Sequence, residues 1–107
     1  MSQRLDYLLQ LLETSPADSF VLFATAKEYE KLGDWAQAQI YYERLQRTDA
    51  SYVGLYYHLG KLHEQAGRLE SAVAVYRAGM TVARQAGDAH ALSELAVAKL
   101  NLLDDDE

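Results

Sequence analysis

His58, His63 and His90, together with the carboxylates, are the side chains through which this chain could do acid–base or metal chemistry, because it contains no cysteine. His58 and His63 are five positions apart, which turns them to different sides of a helix, whereas a helical metal pair needs i,i+4 spacing. No glycine-rich phosphate loop, nucleophile elbow or paired-histidine zinc motif occurs. The acidic residues are spread over polar faces, so no matched acid–base pair stands out, and His63 reads as a core histidine rather than a ligand. The expectation is no catalytic residue, no metal and no cofactor.

Recognition chemistry is better represented. The interval from Phe23 to Tyr57 is the same as that from Lys27 to Lys61, so each ring has a lysine one helical turn further on. Aromatic rings bury area at low entropy cost, and lysines can meet carboxylates. This pattern suits a partner segment carrying apolar side chains beside an acidic group or a free C-terminus. Solvated lysines and rings that merely shield a core would produce the same ladder.

The elements that must position these residues are helices. Leu5, Leu8, Leu9 and Leu12 make one apolar stripe at helical spacing. Ser15-Pro16 offers a cap and a first-position proline for the next helix, which carries Leu22, Ala26 and Tyr29 and stops at Gly33. Asp34 and Gln37 have capping-box spacing and open a helix with Trp35, Ala38, Tyr42 and Leu45 on one face. Asp49 is the candidate cap of a fourth helix through Tyr56, Leu59 and His63, which ends at Gly67. Leu69, Ala72, Val73 and Tyr76 mark the fifth. Gly87-Asp88 stops it and starts a sixth through Leu92, Leu95, Ala96 and Lys99. About six helices with short turns imply an all-α fold of antiparallel neighbours. Trp35, Tyr42 and Tyr76 are expected to be its main buried aromatics.

A self-comparison gives the period. The shift that carries Gly33 onto Gly67 also carries Ala26 onto Gly60, Ala38 onto Ala72 and Tyr42 onto Tyr76. This period, about 34 residues, has the length of one helix–turn–helix unit. Small residues land on small ones and rings on rings. Ala26 and Gly60 are placed for close helix approach, with Tyr42 and Tyr76 filling the space a turn away. The interval from Asp49 to Asp88 exceeds the period, so the fifth helix should be longer than its counterpart.

Charge narrows the partners. The net charge of −6 includes four carboxylates in the last four positions, and no Lys/Arg stripe is present. Affinity for nucleic acid rests on neutralising phosphates, so nucleic acid is not an expected partner, and an anionic membrane is disfavoured likewise. The longest N-terminal apolar run, Tyr7 to Leu12, is interrupted by Gln10 and resembles neither a signal peptide nor a span. A cytoplasmic setting is the default expectation.

On these residues the chain resembles the tetratricopeptide repeat family. The pattern stands as Leu22, Thr25, Ala26, Tyr29, Gly33, Ala38, Tyr42 and again as Tyr56, Leu59, Gly60, His63, Gly67, Ala72, Tyr76. Thr25, His63 and Ala50 depart from it, occupying positions where an apolar residue, an aromatic and a proline are usual. The resemblance implies helix pairs stacked in a short right-handed superhelix. It also implies a single domain over 1–103, with repeats about 19–52 and 53–86, flanking helices 3–14 and 89–103, and an acidic tail at 104–107. It implies a non-catalytic protein-interaction module whose concave groove is lined by the first helix of each pair. Carried onto this sequence, groove positions are Phe20, Phe23, Lys27, Glu30 and Lys31, then Tyr57, His58, Lys61 and Glu64, then His90, Ser93, Glu94 and Val97. The clamp some relatives use for chaperone C-termini is not reproduced, since its asparagines fall where Lys27 and His58 stand. The alternative is a self-associating adaptor. Leu11 at one end, and Val97, Leu100, Leu102 and Leu103 at the other, are apolar for solvated caps, and a homodimer through an end helix would cover them.

Overall fold

The computed structural model describes residues 2–104, with side chains through Leu103. Among these residues six helices follow one another: α1 (Gln3–Thr14), α2 (Ser19–Lys31), α3 (Trp35–Thr48), α4 (Gly54–Gln65), α5 (Leu69–Ala86) and α6 (Ala89–Asp104). There is no strand among the described residues. Helices α1–α3 form one compact unit and α4–α6 another, divided between Ala50 and Ser51. In the first, α2 packs against both α1 and α3; in the second, α5 packs against α4 and α6, and α4 also reaches α6. Asp104 closes α6, and the rest of the expected acidic tail lies outside the described residues.

Local chemistry sets the helix ends. Gly33, Gly67 and Gly87 all have positive φ, at 79°, 78° and 68°. After α2 the Asp34 amide donates to the Tyr29 carbonyl at 2.9 Å and the Gly33 amide to that of Glu30 at 3.0 Å. After α4 the same pair of bonds runs from Arg68 to His63 at 2.8 Å and from Gly67 to Glu64 at 3.0 Å. These closures satisfy carbonyls that the helix leaves open, and they need a left-handed residue at the turn. At the other ends, the side chains of Ser2, Asp18, Asp34 and Asp88 accept amide hydrogens of Leu5, Val21, Gln37 and Ala91. Asp34 makes its half of the expected capping box, while its own amide goes to Tyr29. Helix α5 has 18 residues against 14 in α3, the expected lengthening.

Three expectations are corrected. Helix α2 does not start at Ser15-Pro16: Ser15 ends α1, with its amide on the Leu11 carbonyl at 3.0 Å, and Asp18 is the cap. Asp49 does not cap α4 but terminates α3, and its Oδ2 accepts the Ser19 hydroxyl at 2.6 Å. Helix α4 begins at Gly54 with no side-chain cap. Trp35 is not a core residue, being 50 % exposed. It stands at the first helical position of α3, directly after the turn. Its equivalent in α5, Leu69, is likewise 43 % exposed.

The cores repeat with the sequence. Leu22, Ala26, Ala38, Tyr42 and Leu45 are fully buried in one unit; Leu55, Ala72, Tyr76 and Ala83 are fully buried in the other. The one polar residue sealed among them, Thr25, donates its hydroxyl to the Val21 carbonyl at 2.7 Å. That bond removes the cost of a bare hydroxyl and explains how Thr stands in an apolar position. His63 is also buried and accepts at Nδ1 from Arg68 Nε at 3.0 Å, as befits a core histidine. In the second unit two glycines permit close approach. A Cβ on Gly60 would collide with the Tyr76 ring, with Cδ1 and Cζ each 2.7 Å away. One on Gly79 would lie 2.5 Å from Tyr56 Cβ and 3.0 Å from Leu95 Cδ1, so Gly79 is where α4, α5 and α6 meet.

Candidate functional site

Each aromatic–lysine pair forms a local contact. On α2, Lys27 Nζ lies 5.7 Å from the centroid of the Phe23 ring, which meets the Tyr42 ring in a T-shaped contact with centroids 6.0 Å apart. On α4, Lys61 Nζ lies 5.4 Å from the Tyr57 centroid and 3.3 Å from Glu64 Oε2. One helical turn separates ring and lysine, which is what lets the cation reach back over the ring face. Both pairs therefore present a half-buried ring with its cation already placed.

Behind them runs a device that the sequence reading missed. The Tyr42 hydroxyl donates to Glu30, and one period later the Tyr76 hydroxyl donates to Glu64. Both glutamates are groove positions by resemblance, but each is tied to a buried tyrosine instead. The signal was present, since Glu30 and Glu64 obey the same period as the tyrosines. Burial raises both phenol pKa values well above the ordinary range, and the bond to the glutamate and its charge raise them further. The unfolded phenols ionise near pH 10. Their contribution is thus complete below about pH 10 and declines as pH climbs above it, by up to about 1.4 kcal/mol per pH unit for each tyrosine. Urea midpoints taken from pH 8 to 11 should fall in the wild type and flatten in the Tyr42→Phe/Tyr76→Phe double variant. An equally steep fall without the two hydroxyls would contradict this assignment.

The second unit assembles a concavity. Tyr57 and Lys61 of α4 face His90, Ser93, Glu94 and Val97 of α6 across a cleft of about 390 Å³. Ala98 and Asn101 complete its wall. Val97 is 56 % exposed and His90 Nε2 stands 4.0 Å from Glu94 Oε2. Of the expected groove residues, the structure thus brings together Tyr57, Lys61, His90, Ser93, Glu94 and Val97. His58 turns its ring edge-on to Tyr57 at 5.9 Å and does not line the cleft. Phe20, Phe23, Lys27 and Lys31 belong to α2, in the first unit, where Phe20, Lys27 and Lys31 are exposed and Phe23 half-buried. Asn101 was not foreseen, although it lies one turn beyond Val97 on the same face of α6. No group of three or more His, Asp or Glu residues able to hold a metal occurs among the described residues. No helix among them is long and apolar enough to cross a membrane.

Helix pairs recurring at one fixed interval, with a ring, a small residue and a turn glycine in register, define an α-helical repeat protein. The model of the tetratricopeptide repeat matches residues 53–85. The crystal structure of a tetratricopeptide repeat domain protein from Salinibacter ruber shares 42 % identity, covers 81 % of this chain and 97 % of its own, and superposes with a TM-score of 0.78. With that identity over nearly the whole relative, this chain belongs to the tetratricopeptide repeat family. Two more distant structures share the fold. PcrH, in complex with the chaperone binding region of PopD, is 14 % identical with a TM-score of 0.89, covering 96 % of this chain and 78 % of its own. A Bordetella parapertussis protein is 22 % identical with a TM-score of 0.84, covering 99 % and 92 %. None of the curated proteins matches the chain.

Proposed function

We propose that this protein is a non-catalytic interaction module that takes a segment of a partner protein in the α4–α6 cleft. The observation that carries this reading is the meeting of Tyr57, Lys61 and Val97 around one open concavity. An apolar side chain of the partner would sit between Tyr57 and Val97, and an acidic group or free C-terminus would meet Lys61. Glu94 on the opposite wall would repel a second carboxylate, so the ligand presents its charge on one side only. The α2 face, with Phe20, Phe23, Lys27 and Lys31, offers the same ring-and-lysine chemistry within the first unit. PcrH, of the same fold, is in complex with a region of another protein, so such a segment is a ligand the fold can take.

The test is affinity capture with wild type, Val97→Asp and Lys61→Gln, with partners identified by mass spectrometry and their affinities then measured. Val97 is largely exposed, so its replacement leaves the melting temperature in place. Glutamine at Lys61 keeps the stem over Tyr57 without setting a new carboxylate beside Glu64. Binding should weaken about tenfold in each variant, the scale of a central contact. Equal affinity for all three proteins overturns the proposal. A second reading is favoured by the exposure of Leu69, Leu100 and Leu103 along α5 and α6. A concentration-dependent dimer broken by Leu100→Asp, with no captured partner, would replace the peptide module by a self-associating adaptor.

A further inference from the structure

The first unit holds a concavity of its own, about 390 Å³, where α1 meets the end of α2. Its walls are Leu5 and Leu9 of α1 and Tyr29 and Leu32 at the end of α2, and its rim carries Asp6 and Asp34. Leu32 is half exposed, so the apolar floor is open to a visitor. Neither rim carboxylate is ion-paired with another described residue. Arg4, the neighbouring cation on α1, is turned to Glu28 at 3.3 Å. Asp34 accepts the capping bond from the Gln37 amide at 3.2 Å through one oxygen and lines the pocket. Tyr29 stacks on Tyr41 with ring centroids 5.5 Å apart, which fixes the ring that forms one wall. Burial, then Tyr41 and the Asp34 charge, raise the Tyr29 phenol pKa, so the carboxylate's field reaches into this pocket.

The geometry points to a second docking surface, one that takes a basic partner segment. It seats an apolar side chain against Leu5, Leu9 and Leu32 and brings a lysine or arginine to Asp6 and Asp34. Charge complementarity selects this occupant. Two carboxylates above an apolar floor repel an acidic segment, and the long stem of lysine or arginine covers apolar surface while its head reaches the rim. This is the opposite preference to that of the Lys61 side of the α4–α6 cleft, so the two surfaces would hold different partner segments.

The probes are two blocked dipeptides, N-acetyl-leucyl-arginine amide and N-acetyl-leucyl-glutamate amide, titrated into the isotope-labelled full chain and followed by amide chemical shifts. Saturable shifts at Leu5, Leu9 and Leu32 are expected with the arginine peptide and not with the glutamate peptide. The Asp6→Asn/Asp34→Asn variant should weaken arginine-peptide binding about fivefold, as for two exposed charge pairs, and added salt should do the same. Asparagine caps a helix as well as aspartate does, so α3 keeps its start and the variant reports charge alone. Equal shifts with both peptides, or none at these amides, overturn the proposal. Shifts confined to Tyr57, Lys61 and Val97 overturn it too while leaving the α4–α6 cleft standing. Shifts at the pocket that grow with protein concentration and no peptide would make the occupant a second copy of the chain, and also overturn it.

Discussion

Replacing Tyr76 by alanine is expected to lower the unfolding free energy by about 3–5 kcal/mol, near the ceiling for truncating a buried aromatic. The size of a truncation penalty depends on how far the surroundings collapse into the cavity. Here they cannot. The surface facing the ring is Gly60, which has no side chain to swing in, and the adjoining Ala72 has none longer than a methyl. Loss of the phenol also leaves Glu64 without its buried donor, and Glu64 is the residue that holds Lys61 at the cleft. Against a domain stability of about 5–15 kcal/mol, a loss of this size unfolds a substantial share of molecules at physiological temperature. Tyr76→Phe keeps the ring and loses only the hydroxyl bond, about 1 kcal/mol. Urea titrations read by circular dichroism separate the two. An alanine variant that melts with wild-type cooperativity and midpoint would refute the packing of α5 on α4.

The parts of this fold that were legible in the sequence are those that a period can carry. Tyr42 and Tyr76, Ala38 and Ala72, and the turn glycines Gly33 and Gly67 occur in step, and each has one physical reason to be where it is. Helix starts were less legible, because aspartate and serine near a turn serve either end. Ser15 and Asp49 terminate helices although each has the composition of an opener, and only the path of the chain after them decides which. Trp35 misled for a related reason. Its spacing to Ala38 and Tyr42 puts it on the inner face, but a face has an end, and Trp35 is the first residue of its helix and half exposed. In the candidate site, the ladder of rings and lysines was visible as two copies one period apart. The wall supplied by α6 rested on the family resemblance alone, because that helix has no counterpart one period on to confirm its register.

Gly60→Val should cost about 3 kcal/mol, although glycine inside a helix is ordinarily a liability that any side chain relieves. The sign turns on what the new atoms meet. A Cβ at this position enters the Tyr76 ring, which is fully buried and tied at its hydroxyl to Glu64, so it has nowhere to retreat. A double-mutant cycle isolates that collision. In the wild type, Gly60→Ala gains about 1 kcal/mol of helix propensity but meets an overpacking cost of ~1–3 kcal/mol, so it destabilises. In a Tyr76→Ala background the obstacle is gone, and the same substitution should stabilise by about 1 kcal/mol and refill part of the cavity. The two positions must therefore couple with opposite sign of effect in the two backgrounds. If Gly60→Ala stabilises the wild type as it would an exposed helix, the bare glycine is not the seat of the tyrosine ring, and the repeat of rings over small residues loses its physical cause.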